Sequence, residues 1–220
     1  YASSALLRTQ LPPKSLLDVL RVLGIAQVDR ITMVHSVKSL FTLHSPAHKK
    51  LFLEAWERLV LKASNSAFLA RLVGHVPPDQ ALLASLLSEV GTLAVLSAFK
   101  NAAEIPSPEL YYKLCREYSK SLGVIVLKKW AVDDAYIRVI RHAGDWQHHE
   151  RAEIELLDVI NLSLFHAIKQ IGRTSDLPPL TALAAYAKLP APLDFLNESG
   201  ELTVLVSHRA EIASIAASLR

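Results

Sequence analysis

The run Leu82–Phe99, LLASLLSEVGTLAVLSAF, sets a carboxylate in the middle of an otherwise apolar stretch. Leu82, Leu83, Leu86, Leu87, Val90, Leu93 and Ala94 recur at three- and four-residue steps. That is the period of a helix buried round most of its girth. Ser88, Glu89 and Gly91 interrupt it. A carboxylate this deep in apolar surroundings must be paired, ligate a metal or face water, because an isolated buried charge is too costly. Such a helix also needs a shell to cover it, and 220 residues with 51% hydrophobic content are enough to build one.

The rest of the chain supplies helices to do so. Ser15 caps a short helix with Leu16, Leu17, Val19, Leu20 and Leu23 inward and Gly24 at its end, and a second helix runs from about Gln27 to Leu40. Ser45-Pro46 opens a helix over Ala47 to Leu72 that stops at Gly74. Its stripe is Leu51, Phe52, Ala55, Leu59, Lys62, Ala63 and Ala67, with Lys62 the one polar member, placed to snorkel. Ile105-Pro-Ser-Pro is a break, after which Ser107 and Pro108 start a helix that ends near Trp130, with Gly123 inside it or between two pieces. Asp133 caps Asp134 to His142, and a long helix spans His149 to Ile171, closed by Gly172. A loop follows over Arg173 to Pro179, then two short segments broken by Pro190 and Pro192, then a final helix over Glu201 to Leu219. Val124-Ile-Val and Leu202 to Val206 are β-branched but have no partner run nearby, so both read as helical. The expected fold is all-α, a bundle of about ten helices. It forms one domain over residues 1–220, with the main bundle at 1–172 and a carboxy-terminal helical extension at 173–220.

Composition narrows the function classes. A net charge of +3 with only the pairs Lys49-Lys50 and Lys128-Lys129 argues against a nucleic-acid partner. The single Cys115 excludes an internal disulfide and suits a reducing, cytoplasmic compartment, with a small buried thiol its expected role. No run of 18 uncharged apolar residues is present, so no membrane span is expected, and no signal peptide is visible. The start at Tyr1 rather than Met reads as a piece of a longer protein. Phosphate-cradling glycine loops and G-x-S-x-G are absent. His148-His149-Glu150 follows His142, a cluster suited to adventitious metal binding, but neither H-E-x-x-H nor a cysteine-paired spacing accompanies it. His35, His44, His75, His166 and His208 read as surface or satisfied core groups. Asp133-Asp134 reads as a cap, and Glu153, Glu155 and Asp158 as a solvated helix face. Tyr111, Tyr112, Tyr118, Trp130 and Trp146 are expected to gather near one junction as core, with an aromatic binding groove as the sharper alternative.

Several pieces in this order resemble the HDOD domain, a regulatory relative of the HD-type metal phosphohydrolases. Tyr1-Ala-Ser-Ser-Ala resembles the family's A-N-S-A element, and Leu17 to Gly24 its A-I-x-x-L-G helix. Trp56-Glu-Arg-Leu resembles W-x-H-S, and Leu86-Leu-Ser-Glu-Val-Gly-Thr-Leu93 resembles L-L-H-D-I-G-x-L. Ser121 to Trp130 resembles x-V-G-x-x-L-L-x-x-W, Val139-Ile-Arg-His142 the closing A-I-x-x-H-H, and Leu177 to Leu219 the last helices. Family members usually carry helices before A-N-S-A, so the resemblance implies a missing amino-terminal lobe.

What the resemblance implies about chemistry lies in the departures. An HD hydrolase holds its metals with a His, an adjacent His-Asp pair and a later Asp. Here Arg58 stands at the first His, Ser88-Glu89 at the pair and Asn161 at the later Asp, while His142 is kept and Ala143 replaces the second closing His. A guanidinium cannot ligate a cation, and like charges ~4 Å apart repel by a few kcal/mol at intermediate dielectric, doubled for a divalent ion. No metal or other cofactor is therefore expected. The same argument with the sign reversed predicts an Arg58–Glu89 ion pair in the vacated site, holding two helices in register. The implied function is a non-catalytic signalling module acting through a protein partner or a neighbouring signalling domain, with a homodimer possible in so apolar a chain. The alternatives are an HD-type phosphohydrolase with a rearranged site using Glu89 and His142, and a nucleotide-binding sensor without turnover.

Overall fold

The computed structural model describes residues 46–99, 106–172, 177–217 and 219, together with Gly24, Val28, Thr32, His35 and Ser36. The chain divides into two compact units, Tyr1–Thr42 and Leu43–Arg220. In the first unit Val28, Thr32, His35 and Ser36 are helical. The helix expected to end at Gly24, the A-N-S-A-like element, His44, the cap at Ser45 and the side chains of Leu51 and Phe52 lie outside the described residues.

The described residues of the second unit are mostly helical, and among them the only β pairing is an isolated bridge between Leu196 and Leu202. Helix α1, Pro46–Val73, is its axis. It ends where expected, at Gly74, whose φ of +88° suits a residue without a side chain. Lys62, Ala63, Leu69 and Ala70 are all buried, because α1 packs against α2 on one side and α6 on another.

The apolar run is two helices rather than one: α2, Pro78–Ser88, and α3, Val90–Ala98. Glu89 is the joint, with φ −103° and ψ 2°. The Ser88 hydroxyl donates to the Ser85 carbonyl at 2.7 Å, the acceptor an unbroken ladder would offer to Glu89. The Glu89 N–H turns instead to Leu86 O at 3.3 Å. The run Pro78–Ala98 is long and apolar enough to cross a membrane by length and composition, with a mean hydropathy of 1.7, but 61% of that window is buried inside the fold.

Helix α4, Pro108–Lys129, is continuous through Gly123 and starts at Ser107, whose hydroxyl accepts from Leu110 N at 3.3 Å. It lies along α3. Helix α5, Asp134–His142, is capped as expected, Asp133 accepting from Ala135 N at 2.8 Å. The long helix expected from His149 starts only at Leu156 and runs to Gln170 as α6. Its start is fixed by a reciprocal cap in which Asp158 accepts from Glu155 N at 2.7 Å. The acidic trio is therefore not one solvated helix face: Glu153 is exposed but precedes α6, and the other two are engaged. Asp158 is 4% exposed and paired with Lys188, and Glu155 bridges Arg138 and Arg151.

After Gly172 come short 3₁₀ turns at Leu180–Ala182 and Tyr186–Lys188. The expected last helix is two, α7 (Thr203–Ser207) and α8 (Arg209–Ala217), parted at His208. This tail shares one core with α1 and α6: Phe68, Leu69, Val159, Leu162 and Phe165 cluster with Leu180, Leu183, Leu202, Leu205 and Ile212.

His166 lies in α6, fully buried, and neither ring nitrogen has a hydrogen-bond partner among the described residues. Burial, with Lys169 adding a smaller push, lowers its pKa to about 4. The folded state thus holds a neutral ring that the unfolded chain protonates near pH 6.5, so stability falls as pH drops from about 6.5 towards 4. His166→Leu is expected to flatten that part of the curve, read as urea midpoints at pH 7, 5.5 and 4.5.

Candidate functional site

Lys62 on α1 and the α2–α3 joint build the site. One helical turn after Arg58, Lys62 points at the joint, where its Nζ donates to Ser88 Oγ at 2.8 Å and to Glu89 Oε1 at 2.6 Å. The Lys62 side chain is 2% exposed and that of Glu89 31%. Lys62 does not snorkel. Thr92 Oγ1 donates to the other carboxylate oxygen at 3.0 Å. Both oxygens of Glu89 and the hydroxyl of Ser88 are thereby occupied.

The expected Arg58–Glu89 ion pair is replaced by Lys62–Glu89. Arg58 sits one turn, roughly 6 Å, earlier in the helix. Its guanidinium lies over the Tyr112 ring, 5.6 Å from the centroid. Among the described residues the 2.6 Å bridge to Lys62 is the ion pair of Glu89. The signal for Lys62 was present in the sequence as the one polar residue of the α1 stripe.

Arg58, Lys62, Glu89, Thr92, Tyr112 and Cys115 line a cavity of ≈ 290 Å³, together with Leu164, Ala167 and Ile168 of α6. Burial pushes the Glu89 carboxyl up, but the Lys62 charge and hydrogen bond, with Arg58 and Thr92 adding to them, outweigh it, so its pKa lies below 4.5. Burial pushes the Cys115 thiol and the Tyr111 phenol up, away from their reactive anions. The Tyr111 hydroxyl donates to Thr92 O at 3.3 Å.

His142 and Asn161 do not line this cavity. Asn161 fastens the α5–α6 connection, accepting from Gly144 N at 2.9 Å and donating to Asp145 O at 3.2 Å. His142 stacks on His148 with ring centroids 4.1 Å apart. The aromatic residues do not gather at one junction. Tyr112 faces the cavity, Trp146 packs edge-on against Phe165 in the main core, and Tyr118 and Trp130 are exposed.

The donor set does not fit a divalent ion. At the positions that match HD ligands stand a guanidinium, a hydroxyl and a carboxylate, and an ammonium already bonds the last two. A dication ~4 Å from that ammonium would meet a repulsion on the order of 8 kcal/mol at an effective dielectric of 20. Lys62 does by hydrogen bonding what a metal does by coordination, tying α1 to the α2–α3 joint.

Because the Glu89 pKa is depressed in the folded state, its contribution to stability is present above about pH 4.5 and is lost as pH falls through the lower folded-state value. Glu89→Gln keeps an acceptor and removes the charge. We expect it to cost on the order of 1 kcal/mol at pH 7, and the gap to the unmodified chain to close on acidification, measured by denaturant melts from pH 7 to 3.

The HDOD domain family model matches residues 1–146. The fold resembles a solved structure named "putative metal-dependent phosphohydrolase" from Shewanella amazonensis SB2B, with a TM-score of 0.73, 21% identity, and coverage of 100% of this chain and 78% of that one. It also resembles an HDOD domain protein with unknown function from Geobacter sulfurreducens, with a TM-score of 0.62, 15% identity, and coverage of 99% and 78%. No curated protein matches the sequence. At these identities the two structures speak for the helical fold, while the sequence match over well more than half of the chain speaks for descent. The chain belongs to the HDOD domain family.

Proposed function

We propose that this HDOD domain is a non-catalytic regulatory module that works through protein contacts. The observation that carries the reading is the Lys62 ammonium bonded to both Ser88 and Glu89, where an HD hydrolase would need metal ligands. A hydrolase of that type activates water on a bound dication. Here the carboxylate best placed to hold one is neutralised by a buried amine, and the nearby thiol and phenol are held protonated. The partner is a neighbouring signalling domain or a separate protein, in a reducing cytoplasmic compartment, and self-association into a homodimer fits the same reading.

The test is a phosphodiesterase assay on a generic phosphodiester and on cyclic dinucleotides, with Mn²⁺, Mg²⁺ and Fe²⁺ added in turn. Turnover at the level of buffer is expected. Metal-dependent turnover abolished by Glu89→Ala would overturn the reading in favour of a rearranged phosphohydrolase. One observation favours a second reading, an anion or nucleotide sensor without turnover: the half-buried Arg58 guanidinium faces the cavity beside the Tyr112 ring. A nucleotide at 100 times its Kd would stabilise the fold by about 2.7 kcal/mol. A thermal-shift screen of nucleotides, repeated on Arg58→Gln, decides between the two.

A further inference from the structure

Outside the lining of the Lys62–Glu89 cavity, the connection between α5 and α6 brings three ligand-type side chains together. His142 is the last residue of α5, and His148 and Glu150 lie in the irregular connection that follows. One ligand atom from each falls within 4.8 Å of the others. We propose that His142, His148 and Glu150 form a site for a borderline divalent transition ion of the Zn²⁺ class, which clips the end of α5 to the segment leading into α6.

The geometry is prepared in three ways. His148 Nε2 and Glu150 Oε1 are 3.0 Å apart, close to the spacing of adjacent donors on a tetrahedral ion with bonds of about 2.0–2.1 Å. With the carboxylate ionised, the hydrogen between them is donated by the ring, and an ion entering the site replaces that proton. The other oxygen of Glu150 is held by Arg138 Nη2 at 2.5 Å, so the carboxylate does not swing freely. The backbone between the ligands is pinned by Asn161, which bonds both Gly144 and Asp145, and by Gly144 at φ +82°.

The donor set decides the class of ion. Two imidazoles and one carboxylate suit Zn²⁺, Co²⁺ or Ni²⁺, whereas Ca²⁺ and Mg²⁺ want oxygen donors and more negative charge. Arg138 on Glu150, and Lys120 bonded to the Arg141 carbonyl beside His142, make the surroundings more positive still. Asp145, whose Oδ2 lies 3.9 Å from His148 Nδ1, offsets part of that charge. A fourth position stays open to water, because the site is only half-buried and Glu150 is exposed.

The test uses the full chain, stripped with a chelator and dialysed, then titrated with ZnCl₂ by calorimetry. One equivalent is expected, undisturbed by millimolar Mg²⁺ or Ca²⁺. His148→Ala and His142→Ala should each weaken it at least tenfold, and Glu150→Gln should weaken it as well. His149→Ala, at the exposed neighbour, should leave it unchanged. Co²⁺ supplies a readout independent of stability: visible d–d bands are expected in the unmodified chain and should be lost in Glu150→Gln, which removes charge without volume. No retained equivalent would overturn the site. An equivalent that survives His148→Ala and His142→Ala would show an adventitious ion only, and overturns it too.

Discussion

Gly91→Ala is expected to lower stability by about 3 kcal/mol or more, at the upper end of what overpacking costs. A Cβ built on Gly91 would lie 1.7 Å from Ser119 O, 2.7 Å from Ser119 C and 2.8 Å from Gly123 N. All three are backbone atoms of α4, so no side chain can turn aside, and α3 and α4 would have to move apart. The intrinsic preference runs the other way, since Ala stabilises a helix interior by up to about 1 kcal/mol relative to Gly. The sign of the measured change therefore reports the helix contact and not local propensity. Gly123→Ala is the control: its nearest obstacles are the Ile140 methyl carbons at 3.2 and 3.3 Å, which can give way. It should cost clearly less. Denaturant melts followed by far-UV circular dichroism decide the matter, and an unchanged or raised midpoint for Gly91→Ala would mean that the two helices do not meet there. The separation would also spread the cavity, because Thr92 and Leu93 follow Gly91 on α3 and Tyr112 and Cys115 stand on α4.

Helix ends that depend on local chemistry were legible in the sequence. Gly74 and Gly172 close α1 and α6, Ser107 and Asp133 cap α4 and α5, and each does so through its own backbone or side chain. Breaks that depend on competition for a carbonyl were not legible. Periodicity carries straight through Glu89, and only the Ser88 hydroxyl on Ser85 O shows why the ladder stops. The late start of α6 has a different cause, a reciprocal side-chain cap. Asp158 looks like one of three surface acids until its reciprocal bond with Glu155 and its pairing with Lys188 are seen. At the site, the resemblance led to Arg58 and to Ser88-Glu89, and these do line or bond into one cavity. It does not point to Lys62, because Lys62 occupies no ligand position of an HD site; its ammonium bonds the two residues that do, Ser88 and Glu89. Asn161 and His142, which the resemblance implies for the site, serve the α5–α6 connection instead.

Lys188→Met is expected to cost about 3–5 kcal/mol, the range for stripping one partner from a buried ion pair. Lys188 Nζ reaches both oxygens of Asp158, at 3.0 and 2.9 Å, and the two side chains are 8% and 5% exposed. Removing the ammonium leaves a carboxylate that water barely reaches, with the Glu155 N–H at 2.7 Å as its remaining hydrogen-bond donor among the described residues. The charge cannot move to the surface, because the same bond to Glu155 starts α6. The comparison that isolates the electrostatic part is Asp158→Asn combined with Lys188→Met. Asn keeps an acceptor for Glu155 while the pair becomes neutral, so the double variant should recover most of the loss, giving a coupling of 2 kcal/mol or so. The consequence reaches beyond one contact. Lys188 ends the second 3₁₀ turn, and the residues around it, Ala185 and Leu189, belong to the core shared with α1 and α6. Loosening it should raise amide exchange over residues 180–189 before that of α1. A Lys188→Met chain within 1 kcal/mol of the unmodified one would mean that the tail is held by its apolar contacts alone, with the ion pair only fixing which face of α6 it meets.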